Sequence, residues 1–124
     1  LGICGPLRTD TYAHQAGNCG LFKTPTLRNV ATRHAFFHNG IYHSLENVLH
    51  FYVERDTDPA KIYPKAADGS VRQFDDVPWQ YRGNIDVIDA PFDRHPGQPP
   101  ALNDHEIEQV IAFLKTLNDG YQTK

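Results

Sequence analysis

An all-α fold crossed by a long, irregular, proline-rich segment is what this 124-residue sequence predicts. Two amphipathic runs with helix-start signals, at residues 44–53 and 103–117, carry the helical part. Between them, residues 55–101 hold seven of the nine prolines and much polar sequence, too broken for a regular element.

Residues 1–22 read as loop, because Gly2, Gly5, Pro6, Gly17 and Gly20 punctuate them and no apolar period survives. Thr24 before Pro25 is an N-cap with proline at the first helical position, which predicts a short helix through "PTLRNVA". "HNG" at 38–40 marks a turn. Ser44 caps the next helix, and Leu45, Val48, Leu49, Tyr52 and Val53 form one apolar stripe that puts Tyr52 on the buried face.

At the far end, Asn103 and Glu106 make an Asn-x-x-Glu capping box, with Leu102 and Ile107 placed as a hydrophobic staple. Ile107, Val110, Ile111, Leu114 and Leu117 form the inner face of a helix from about Asp104 to Asn118, ended by Gly120 as its C′ residue. Each stripe needs a partner, so the terminal helix is expected to pack on the helix carrying Tyr52.

The segment 55–101 is too long for an idle connection; it wraps a surface of this protein or covers something outside the chain. Its aromatics Tyr63, Phe74, Trp79, Tyr81 and Phe92 favour packing over disorder. "DTDPAKIYPKAADG" lacks the ligand order and terminal Glu of an EF-hand loop, so calcium is not expected there.

At 14.0 kDa the chain is one domain or part of one, near the size where a disulfide or cofactor matters to stability. With 40% hydrophobic and 22% charged residues it has a soluble composition, and no run approaches the roughly 18 apolar residues of a membrane span. A net charge of −3 and a pI near 6.1, with scattered Lys and Arg, argue against nucleic acid as a partner. The chain opens on Leu1 without a charged-then-apolar leader, which suggests a processed or truncated product.

Cys4 and Cys19 are fifteen residues apart, each followed by glycine. A disulfide there would stabilise the loop by about 3 kcal/mol and needs an oxidising compartment. Two unrelated buried thiols are the alternative, and a metal site is disfavoured because neither Cys-x-x-Cys nor Cys-x-x-Cys-His occurs.

Four of the seven histidines fall in the thirty-one residues from Phe22 to Tyr52, interleaved with aromatics. The chain has no Ser-His-Asp elbow, phosphate-cradling glycine loop, His-Glu-x-x-His or zinc pattern. His34 and His38 are four apart, yet "HAFFHNG" breaks at a turn, so surface or hydrogen-bonded histidines are expected. A zinc or copper site built from His34, His38 and His43 is a competing possibility.

Four ordered blocks narrow the choice: "FKTPTLRNVA", "FFHNG", "SLENVLHFY" and "EIEQVIAFLKTL". Together they resemble the C-terminal haem domain of bacterial di-haem cytochrome c peroxidases and their MauG-like relatives, over about residues 20–54 and 100–118. The resemblance implies a portion of a cytochrome c-like domain, with residues 55–101 as a long insertion. That family attaches each haem c through Cys-x-x-Cys-His, which this chain lacks, so the attachment motif and the first domain are expected elsewhere.

The resemblance further implies that the second haem iron takes an axial ligand fourteen residues beyond the turn histidine. Counting from His38 gives Tyr52. Relatives with a Met ligand differ from the MauG-like kind, which use Tyr, and this chain has no Met. A thioether is soft and raises the haem potential, whereas a phenolate is hard and favours higher oxidation states.

The family's calcium, held partly by backbone carbonyls, would fall at Arg33 and Ala35, where the usual Thr and Pro are replaced. Under the same resemblance Lys23 and Arg28 would neutralise haem propionates, a solvated or structural pair being the alternative. A periplasmic peroxidase or oxidase follows, using peroxide as oxidant and a cytochrome, a cupredoxin or a protein side chain as electron donor. A haem-free structural or partner-binding module derived from the same fold is the alternative.

Overall fold

The computed structural model describes residues 14–18 and 21–120. Among them are three α-helices: α1 (Leu45–Glu54), α2 (Pro59–Ile62) and α3 (Asp104–Thr116). Short 3₁₀ segments occur at Ala16–Asn18, Val30–Thr32 and Trp79–Asn84. The extended pairings seen among the described residues are two isolated antiparallel bridges, Phe36 with Tyr42 and Lys65 with Val71. The predicted all-α class is therefore present. Cys4 and Cys19 lie outside the described residues.

Helix α1 begins where the sequence signals it. The Ser44 hydroxyl accepts the Asn47 N–H at 3.1 Å, and Glu46 sits in the first turn, where the helix dipole favours negative charge. At the other end the Thr57 hydroxyl donates to the Val53 carbonyl at 3.0 Å and the Asp58 N–H to the Glu54 carbonyl at 2.8 Å. Those bonds satisfy carbonyls that a helix end otherwise leaves open.

Helix α3 has both halves of its capping box: Asn103 Oδ1 accepts the Glu106 N–H at 3.0 Å, and Glu106 Oε2 accepts the Asn103 N–H at 2.8 Å. Its apolar face packs on α1, as expected, and on the 3₁₀ turn Val30–Thr32. Ile107 and Leu114 from α3, Val53 from α1 and Phe36 from the bridge are the buried apolar residues. Val110, Ile111 and Leu117 are half-buried around them.

Two local expectations are corrected. No helix runs from Pro25; residues 21–27 are irregular and only Val30–Thr32 is helical, in 3₁₀ form. The cause is tertiary. Asn29 takes a left-handed φ of 58° and is tied to the end of α3: its N–H donates to the Leu117 carbonyl at 2.9 Å and its amide to Asp119 at 2.8 Å, while its Oδ1 accepts the Asp119 N–H at 3.0 Å. A continuous helix through residue 29 is incompatible with that φ. Similarly, α3 stops at Thr116 with Leu117 as its C-cap, so Gly120 lies beyond the C′ position although its φ is +76°.

Parts of the segment 55–101 fold onto the C-terminal end of α1. Lys61 of α2 bridges to Glu54 at 2.8 Å, and the Gly97 N–H donates to the Thr57 carbonyl at 3.2 Å. Tyr63 meets Phe74 edge-on at 5.5 Å, and burial pushes its phenol up to about 12. Phe92 also packs. Trp79 does not: it is 82% exposed, against the expectation for the segment's aromatics.

Candidate functional site

The turn between Phe36 and Tyr42 sets out an aromatic cluster. The Phe36 N–H donates to the Tyr42 carbonyl at 2.9 Å, and the Gly40 N–H to the Phe37 carbonyl at 3.2 Å, closing the turn around "HNG". Gly40 carries a φ of +68° at no steric cost, but Phe37 takes +63°. A non-glycine residue there costs on the order of 1–3 kcal/mol.

Three edge-on contacts offset that strain. The Phe37 ring meets Phe51 at 5.0 Å, Tyr42 at 5.3 Å and Tyr52 at 5.9 Å, each contributing about 0.5–1.5 kcal/mol beyond area. The backbone of the turn is thus held in an unfavourable conformation that aims an aromatic ring at the end of α1.

Tyr52 was expected on the buried face, and it is not buried. It is 39% exposed. Helix α3 covers the Val53 side of α1, whereas the Tyr52 ring is met edge-on by Phe37 and Phe51 and stacked by Phe92 at 5.5 Å. Phe22, Leu27 and Ile41, from the same stretch of chain, are exposed as well. Tyr52 is therefore a partly open ring in an aromatic setting and not a fully packed core side chain.

The other candidate residues are exposed. His38 is exposed and stacks on Phe22 at 4.7 Å with an interplanar angle of 26°. Lys23 and Arg28 are exposed, and Arg28 lies 3.8 Å from Asp119. Arg33 and Ala35 are exposed on the run leading to the bridge.

The three-histidine metal site is not assembled. His43 Nδ1 lies 2.9 Å from the His34 carbonyl and must donate to it, and no group of three His, Cys, Asp or Glu suited to a metal occurs among the described residues.

Sequence reasoning missed Arg55. It is 6% exposed, with its guanidinium 3.8 Å from the Phe92 ring centroid and 5.2 Å from that of Phe74. Its Nε donates to Asp56 at 2.7 Å and its Nη2 to the Asp86 carbonyl. Gln73 completes the junction by donating to the Arg55 carbonyl at 3.1 Å. An arginine two residues past an amphipathic stripe looks like a solvated helix end, so no local signal marks it.

Comparison with known proteins narrows the family. Two crystal structures of the di-haem peroxidase BthA from Burkholderia thailandensis are similar to this chain. A tyrosine-to-methionine variant superposes with a TM-score of 0.74 at 42% identity over 85% of this chain, and BthA itself with 0.67 at 45% over 78%. Over most of its length the chain is similar to di-haem peroxidases of the MauG-like kind.

The methylamine utilization protein MauG of Paracoccus denitrificans is 29% identical over 105 residues, 81% of this chain. The chain spans only about a quarter of these relatives: 23% of MauG, and 24% and 22% of the two BthA chains. No family model matches it. Among the described residues no helix is long and apolar enough to cross a membrane.

Proposed function

We propose that this chain is the C-terminal part of the second haem domain of a periplasmic di-haem c-type peroxidase or oxidase, with Tyr52 as an axial ligand of that haem. The carrying observation is the Tyr52 phenol, partly open at the end of α1 inside a ring of Phe37, Phe51 and Phe92. It stands fourteen residues after His38 in a chain without Met.

Haem c, when bound, supplies a redox-active iron that cycles with peroxide as oxidant. The chain's own residues bind and orient. Tyr52 would offer that iron a hard oxygen, which favours the oxidised metal. The aromatic rings around it limit rotation of the phenol. His38, stacked on Phe22, extends the wall, and Lys23 and Arg28 offset propionate charge, Arg28 sharing its own with Asp119. Were calcium bound, the Arg33 and Ala35 carbonyls would contribute to its site together with ligands outside this chain. Electrons come from a small cytochrome or cupredoxin, or from a protein side chain as substrate.

The full-length gene product tests this. Isolated from a periplasmic extract, it should have the mass of its polypeptide plus two covalent haems and should oxidise a reduced cytochrome or cupredoxin only when peroxide is added. A haem-free product would instead make this fold a structural or partner-binding module.

A further inference from the structure

Arg55 is the buried charged residue of the described structure, and haem ligation by itself gives it no task. Its contacts form a linked series. The guanidinium stacks on Phe92 at 3.8 Å and donates to the Asp86 carbonyl. Asp86 heads a turn, its carboxylate accepting the Ile88 and Asp89 N–H groups at 3.1 and 3.0 Å, and the Asp89 carbonyl accepts the Phe92 N–H at 2.8 Å. Phe92 in turn stacks on Tyr52 at 5.5 Å with an interplanar angle of 30°.

Tyr52 and Arg55 are three residues apart at one end of α1, the spacing that places side chains on the same helix face. A ring clamped to Arg55 is therefore held in register with Tyr52. Both the ring and the backbone that carries it are tied to that one guanidinium. Lysine cannot substitute in this role, because the contact uses a planar cation that stacks while its fork reaches a carbonyl and a carboxylate.

We infer that Arg55 is a positioning residue for the Tyr52 phenol, acting through Phe92, so that the insertion serves to hold the ligand tyrosine in place. The role rests on Tyr52 being the iron ligand. Loosening the clamp lets the phenol leave the metal more often, exposing it to water or an added anion.

The test uses the full-length ferric holoprotein and azide as probe, read by absorption and electron paramagnetic resonance. Arg55→Lys keeps a positive partner for Asp56, and Phe92→Leu leaves that ion pair untouched, so the two variants disturb the fold in different ways. Both should raise the azide-binding rate roughly tenfold, the order expected from loss of one desolvated cation–π contact. Phe74→Leu removes the other ring near Arg55 and should keep the parental rate and spectrum. Tyr52→Phe should open the iron fully.

Parental azide rates in both Arg55→Lys and Phe92→Leu, with Tyr52→Phe open, would overturn the positioning role while leaving ligation intact. So would a Phe74→Leu protein as open as Phe92→Leu, since Arg55 would then merely hold the insertion together. An unchanged Tyr52→Phe spectrum would remove the ligand assignment itself.

Discussion

Replacing Leu114 by alanine probes the junction of α3 with α1. Leu114 is 7% exposed and, among the described residues, is one of four buried apolar side chains, with Phe36, Val53 and Ile107. The substitution removes about three methyl or methylene groups at roughly 0.8 kcal/mol each, or about 2.4 kcal/mol of transfer free energy. A residual cavity adds to this, but half-buried Val110, Ile111 and Leu117 are able to relax toward it, so the total belongs in the lower half of the roughly 2–5 kcal/mol range. Phe113 is the internal control: it is larger and adjacent, yet 59% exposed, so Phe113→Ala should cost less than about 1 kcal/mol. Urea unfolding followed by far-ultraviolet circular dichroism measures both, a change in midpoint at constant m reporting stability. An Leu114→Ala midpoint within error of the parent, or a larger loss for Phe113→Ala, would mean that α3 does not bury this face against α1.

Three further outcomes are expected. Asn103→Ala removes the reciprocal cap of α3 and should cost about 1 kcal/mol, with faster amide exchange at Glu106, whose N–H now bonds Asn103; unchanged exchange would show that the cap contributes nothing. In an alkaline titration followed by phenolate absorption, Tyr63 should ionise last, near pH 12, because burial raises it. The folded pKa lies above the unfolded value, so this contribution to stability is complete below about pH 10 and is lost as pH rises through the folded value; Tyr63→Phe should remove both the late step and that pH dependence. Finally, Tyr52→Met in the full-length holoprotein should raise the reduction potential of the second haem, the softer sulfur favouring ferrous iron, and a potential unmoved by this change would speak against ligation at this position.

The helices were legible wherever their cause is local. Ser44, Asn103 and Glu106 announce their helices because a cap is a bond between residues three apart, and the stripes of α1 and α3 follow from helical periodicity. Pro25 misled because Asn29 is committed to Leu117 and Asp119, about ninety positions away, a demand no window around Pro25 contains. The stripe located Tyr52 on the helix but misjudged its burial, since periodicity tells which residues share a face and not whether another element covers it. The insertion's aromatics correctly suggested packing for Tyr63, Phe74 and Phe92, though not for Trp79. Arg55 was invisible because its importance comes from partners at 74, 86 and 92, brought together only by the fold.

Tyr52→Phe in the full-length ferric holoprotein is the most direct measurement of what this chain does. The substitution keeps the ring packed among Phe37, Phe51 and Phe92 while deleting the single oxygen. Ligation by Tyr52 predicts that the absorption and electron paramagnetic resonance signals of one haem change to those of an iron open to water or azide, with the other haem unaltered. Parental spectra for both haems would reduce Tyr52 to an aromatic packing residue and place the axial ligand elsewhere.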